Sequence, residues 1–185
     1  MTVPPKRADT PRTPHASRYA RTWRAADGTQ LCIRAIRRGD IALEARFLSG
    51  LSREALYQRV LSSRGLLPGE LKRLTRIDFA REVALVGTVG GPSDEQAIGV
   101  ARYVVSDSGA ECEFAIIVAD AWQRRGAGRQ LLGDLIAAAR GAGLRRMVGS
   151  TLATNEGMKS LARKLGFSLQ PDPRDGTVTL MALEL

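Results

Sequence analysis

The alternation of apolar and polar positions in TQLCIRAI, residues 29–36, predicts a half-buried strand behind the turn ADG. The period then lengthens. Ile41, Leu43, Ala45, Phe47 and Leu48 before Gly50, and Leu51, Ala55, Leu56 and Val60 after it, predict two short helices that meet at the glycine. A third short helix is expected over LPGELKRLTRI, where Pro68 suits a first turn and Leu71, Leu74 and Ile77 share a face. From Val83 the period returns to two. EVALVGTV, AIGVARYVV and CEFAIIV are separated by the turns GGPSDE and SDSG, and such short connections predict an antiparallel meander. Downstream the pattern becomes α/β. RQLLGDLIAAARGAG carries Leu131, Leu132, Leu135, Ile136 and Ala139 on one face and stops at glycines. RRMVGST is a strand, NEGMKSLARKLGF a helix with Met158, Leu161, Ala162 and Leu165 in register, and TVTLMALEL a closing strand. A short strand is expected over 167–170, ahead of the turn PDPRDG.

The first 24 residues fit none of these periods. They are rich in Pro, Thr and Arg, and six cations there face only Asp9, so much of the formal net charge of +9 sits in this segment. It is expected to be a disordered basic tail, 1–24, ahead of one domain, 25–185. Pro4, Pro5, Pro11 and Pro14 argue against a transit-peptide helix. With the charge concentrated outside the domain, and no aromatic-interleaved basic strand within it, nucleic acid is not expected as a partner. No apolar run reaches spanning length, so no membrane partner is expected and the location is expected to be cytoplasmic. Cys32, Cys112 and the single His15 have no metal-ligand spacing; both cysteines are expected reduced in the core, and no metal is expected.

Between the strand CEFAIIV and the next helix lies ADAWQRRGAG. A helix N-terminus leaves backbone N–H groups unpaired and carries a partial positive charge, so it attracts anions. Gly126 and Gly128 let the backbone approach an anion closely, and Arg124, Arg125 and Arg129 add charge around it. The segment therefore reads as an anion cradle suited to a pyrophosphate. It is neither a dinucleotide fingerprint, which needs glycine where Leu131 stands, nor a P-loop, which needs Lys then Ser or Thr where Arg129 and Gln130 stand.

QRRGAG, residues 123–128, resembles the Q/R-x-x-G-x-G/A signature of the GNAT acetyltransferase superfamily, and NEGMKSLARKLGF resembles that family's second motif. The resemblance extends over residues 31–185. LKRLTRIDFAREVALV and AECEFAIIVADAWQRRGAGRQLL are most similar to the acetyltransferase domain of bacterial protein lysine acetyltransferases that act on acyl-CoA synthetases. It implies an α/β (α+β) fold: a mixed, mostly antiparallel sheet of about six to seven strands flanked by helices, splayed between the fourth and fifth. It implies acetyl-CoA as cosubstrate, held by Gln123, Arg124, Arg125, Gly126, Ala127, Gly128 and Arg129. Backbone N–H groups near Ile117 and Val118 would face the thioester, and Asn155 would touch the cofactor as well as cap its helix.

Glu113 interrupts one face of an apolar strand, sharing it with Ala115 and Ile117, and the family places a glutamate on this strand; it is the expected general base, with Glu111 as fallback. Relatives often carry a tyrosine in the last helix to protonate the leaving thiolate; SLARKLGF has none. The expected activity is acetyl transfer to an amine, first a protein lysine, for example on an acyl-CoA synthetase. A small-molecule amine acetyltransferase and a non-catalytic acyl-CoA sensor are the alternatives. Members of the resembled subfamily usually carry a second, regulatory or synthetase-like domain, and none is expected within these residues.

Overall fold

The computed structural model describes residues 19–25, 27–52, 55, 68–91 and 93–185. Eight strands form one sheet in the order β1-β2-β3-β4-β5-β6-β8-β7. They are β1 Arg21–Arg24, β2 Gln30–Ala35, β3 Glu82–Val89, β4 Gln96–Val105, β5 Glu111–Val118, β6 Arg146–Leu152, β7 Ser168–Pro171 and β8 Val178–Glu184. Among the described residues only β5 and β6 pair in parallel. Parallel neighbours need a crossover, and helix α3, Ala127–Gly141, supplies it.

Helices α1, Ile41–Ser49, and α2, Pro68–Thr75, precede the meander; α4, Glu156–Lys164, follows β6. Leu43, Phe47 and Leu48 of α1 pack with Ala84, Val86, Val100 and Ile117 on one side of the sheet. On the other side, Leu131, Leu132 and Leu135 of α3 and Ala162 of α4 pack with Leu85, Ala101, Tyr103, Cys112, Phe114 and Met147. Covered on both faces, β3 is buried along nearly its whole length, which is why Val83 to Val86 run apolar without the alternation of a half-buried strand. Helices α3 and α4 stop in the same way. The N–H groups of Leu144 and Phe167 donate to Ala139 O and Ala162 O, across Gly143 and Gly166 at φ 77° and 90°.

The sheet has one strand more than the six to seven expected. The addition is β1, which pairs antiparallel with β2 inside the segment expected to be a disordered tail. RTWR contains one apolar residue and so has no period of its own; its order comes from pairing with β2 and from Trp23 packing on the core. Residues 1–18 of that expected tail lie outside the described residues, as does most of the helix expected after Gly50. The meander, the third short helix and the α/β second half stand as the periodicity predicts.

The gap in the sheet, expected between CEFAIIV and RRMVGST, lies between β5 and β6. Their pairing covers only Glu111↔Arg146, Cys112↔Met147 and Glu113↔Val148. The next residues are Phe114 and Gly149. A Cβ on Gly149 would sit 2.7 Å from Phe114 Cε1, so the Phe114 ring lies against the β6 backbone where a side chain would otherwise stand. Phe167 packs on the same ring at 5.1 Å between centroids and holds it there. The strands diverge beyond this point.

Candidate active site

The loop after β5 is tied back to the strand that precedes it. Gln123 Nε2 donates to Val118 O at 3.2 Å and to Asp120 Oδ1 at 3.4 Å. Arg124 follows with φ 58°, a left-handed conformation costing a non-glycine residue about 1 kcal/mol. Gly126, at φ 91°, is the N-cap of α3; no side chain caps this terminus and its first turn holds no acid. Its N–H groups and dipole are thus offered to an anion without local competition. A Cβ on Gly128 would lie 3.3 Å from Leu161 Cδ2, so the first turn of α3 approaches α4 closely.

A cleft of about 790 Å³ runs through the splay. Of the residues singled out in the sequence, Glu113, Ile117 and Val118 line it from β5, Gln123, Arg124, Gly126, Gly128 and Arg129 from the loop and α3, and Asn155 from the start of α4. Arg125 and Ala127 do not. Arg125 turns away to bond Asp27 Oδ2 at 3.1 Å, with its guanidinium 5.2 Å from the Trp122 ring centre, and Ala127 is buried against Ala25, Leu31 and Ile98. Asn155 Oδ1 accepts from the Met158 N–H at 3.0 Å, which is the capping role expected of it. Lys164 lines the cleft and was not singled out in the sequence; its signal was there, one turn beyond Leu161 on the same face of α4.

The hydrogen-bond ladder corrects one expectation about the backbone. Ser106 N donates to Glu111 O and Ala119 N to Ile98 O, and between these bonds β4 and β5 keep one unbroken register. Antiparallel pairs alternate, so the Ile117 N–H points into β4 rather than into the gap. The amides turned toward the gap are those of Ile116 and Val118. The same parity places the Val118 carbonyl away from β4, where Gln123 reaches it.

With no bulge in this register, Glu113 shares its face with Ala115 and Ile117. It is exposed and opposes Val104 on one side and Val148 on the other. Glu111, the fallback base, does not line the cleft; it accepts from Arg146 Nη1 at 2.7 Å. Burial pushes the Cys112 thiol up to about 12, so it holds no thiolate at neutral pH. Among the described residues no group of three or more His, Cys, Asp or Glu is placed to hold a metal, and no helix is long and apolar enough to cross a membrane.

A sheet splayed beside an uncapped helix N-terminus defines a class of fold, and comparison with known proteins gives the family. The model of the acetyltransferase (GNAT) family matches residues 54–167. Acetyltransferase PA5475 of Pseudomonas aeruginosa is 32% identical over 160 residues, which cover 86% of each protein. The GNAT domain of S. lividans PAT superposes with a TM-score of 0.83 at 26% identity, over 93% of this chain and all of that one. YncA from Salmonella typhimurium, solved with its cofactor acetyl-CoA, shares the fold with a TM-score of 0.69 at 23% identity, over 84% of this chain and 94% of that one. The chain belongs to the GNAT acetyltransferase family.

Proposed function

We propose that the protein transfers the acetyl group of acetyl-CoA to the side-chain amine of a protein lysine. The observation that carries this reading is a cleft with unlike ends on the two faces of the sheet. On the α3/α4 face it ends among the free N-terminus of α3, Arg124, Arg129 and Lys164, a setting for the phosphates of coenzyme A. On the opposite face it opens at Glu113. Among the described residues this face carries the cross-strand row Val104, Glu113, Val148, Ala182, in which Val104 and Glu113 are exposed, Val104 by 43%, and Val148 and Ala182 half-buried; Leu180 nearby is 39% exposed. An open sheet face admits a lysine carried on a protein surface, whereas a small amine is better served by enclosure.

Chemistry follows from this placement. A lysine of pKa ~10.4 is almost wholly protonated at neutral pH, so Glu113, directly or through water, takes its proton. The amine nitrogen then attacks the thioester carbonyl carbon. Negative charge developing on the carbonyl oxygen is met by the gap-facing amides of Ile116 and Val118. The C–S bond breaks, the nitrogen gives up its second proton to water, and the thiolate, whose conjugate thiol has a pKa near 8.5, leaves without an acid from α4, where SLARKLGF supplies no tyrosine. We place this activity in the cytoplasm, where thiols such as Cys32 and Cys112 stay reduced.

The test is acceptor profiling with isotope-labelled acetyl-CoA. An acyl-CoA synthetase, a polyamine and an aminoglycoside are offered in parallel and analysed by mass spectrometry. Label concentrated on one synthetase lysine supports the proposal; efficient labelling of the small amines with none on the protein overturns it.

A further inference from the structure

The β1–β2 hairpin touches the glycine loop and α3 at successive points. Asp27 Oδ2 accepts from Arg125 Nη1 at 3.1 Å. One residue further along the loop, the Trp23 ring lies 3.9 Å from where a Gly126 Cβ would stand. Beyond it, Arg21 Nε donates to Asp134 Oδ2 and Arg21 Nη2 to Gln130 Oε1, each at 2.6 Å, with Gln130 and Asp134 one turn apart on α3. Arg21 and Trp23 alternate along β1, so both point to the α3 side, opposite Ile33 and Leu31 of the core. Below the loop, Ala25, Leu31, Ile98 and Ala127 form a separate apolar cluster against which Trp23, Val118 and Trp122 pack. The hairpin closes on itself: Ala25 N donates to Thr29 O, and Thr29 N to Asp27 Oδ1. None of Arg21, Trp23 and Asp27 lines the cleft.

A loop that contains a left-handed arginine and two glycines has little rigidity of its own. What fixes its N–H groups must come from outside. We infer that this N-terminal hairpin is a positioning element for the loop, setting the affinity for the phosphate-bearing part of acetyl-CoA through Arg21, Trp23 and Asp27. The inference rests on the reading of the cleft as the acetyl-CoA site. Coupling is reciprocal, so bound acetyl-CoA in turn stabilises the edge strand β1.

Electrostatics and positioning make opposite demands here, which gives the test. Asp134→Asn and Asp27→Asn each remove a negative charge close to an anion site. Charge alone would tighten binding of acetyl-CoA, whereas loss of the strap weakens it, by about three- to tenfold each, the usual range for residues coupled to a site they do not touch. Calorimetry on wild type comes first: saturable binding there establishes the cleft reading, and its absence would defeat that reading rather than this one. The expected results are then a raised Kd and KM for acetyl-CoA in Asp134→Asn, Asp27→Asn and Trp23→Phe. The kcat at saturating acetyl-CoA should stay within about twofold, because the strap does not reach the reacting atoms. Thr22→Ala, on the other side of β1, should leave Kd unchanged. Hydrogen exchange at β1 should slow when acetyl-CoA is saturating. Unchanged or tighter binding in both Asp variants, or a fall in kcat at unchanged Kd, would overturn the inference.

Discussion

Glu113 and Glu111 lie two residues apart on one face of β5, and only their surroundings separate them. Glu111 is engaged by Arg146, while Glu113 sits at the fork of the sheet in the cleft. Replacement of Glu113 by Gln is expected to lower kcat on the order of a hundredfold at neutral pH with acetyl-CoA affinity retained, the scale of a positioned base. Raising the pH deprotonates the amine without help, so the deficit should shrink toward pH ~10. Steady-state kinetics across that range measure both, and wild-type turnover in the variant at pH 7 would remove Glu113 from the mechanism. Glu113 stands out in the sequence because a charge interrupts an apolar face, and it does line the cleft. The Ile117 amide was misjudged because the parity of a ladder depends on which pairs bond, and CEFAIIV alone does not reveal that. Arg125 was grouped with its neighbours on type and spacing, but Asp27, nearly a hundred positions earlier in the chain, takes its guanidinium.

At the scale of elements, the shape of the gap depends on where β5 and β6 stop pairing. Gly149→Ala would press a methyl into the Phe114 ring, which is 6% exposed and backed by Phe167, and is expected to cost about 1–3 kcal/mol in urea unfolding. Phe114→Leu in the same chain should recover much of that loss; no recovery would show that the wedge is not the cause. A second junction ties α1 to the meander. Arg34 is buried on β2 and bonds both Asp40, ahead of α1, and Glu95, ahead of β4. Burial pushes the Arg34 guanidinium pKa down, but its hydrogen bonds with Glu95 and Asp40 outweigh that and raise it. The same Arg34 bond holds the Glu95 carboxyl below its ordinary 4.5. A lowered carboxylate stabilises the fold above its unfolded value and loses that contribution as pH falls through the folded one. Arg34→Met should therefore cost about 1–3 kcal/mol at pH 7, the scale of leaving partly buried acceptors without their donor. It should also flatten the loss of stability of wild type below pH ~4.5. Denaturant midpoints against pH would expose an error in either sign. Helices and inner strands were legible because their patterns run over many residues; β1 was not, because its order comes from β2 and from Trp23 packing rather than from a pattern in RTWR.

Across the whole molecule, the sheet brings together residues that lie far apart in sequence. Glu113 on β5, the loop at the head of α3 and the start of α4 meet in one cleft only because β5 and β6 part after a short parallel pairing. The motif QRRGAG marked a loop that lines the cleft, and the order of elements made the fold readable. The passage of the cleft from one sheet face to the other follows from the register and is absent from any local pattern. The proposed transfer requires coenzyme phosphates seated on the loop from Gln123 to Arg129. Its most direct test is calorimetric titration of acetyl-CoA into wild type and into Gly126→Asp, which places a side chain and a negative charge at the N-cap of α3. The expected result is saturable binding to wild type and none to a variant whose circular dichroism shows an intact fold. Equal affinity in the two folded proteins would contradict the cradle and the mechanism built on it.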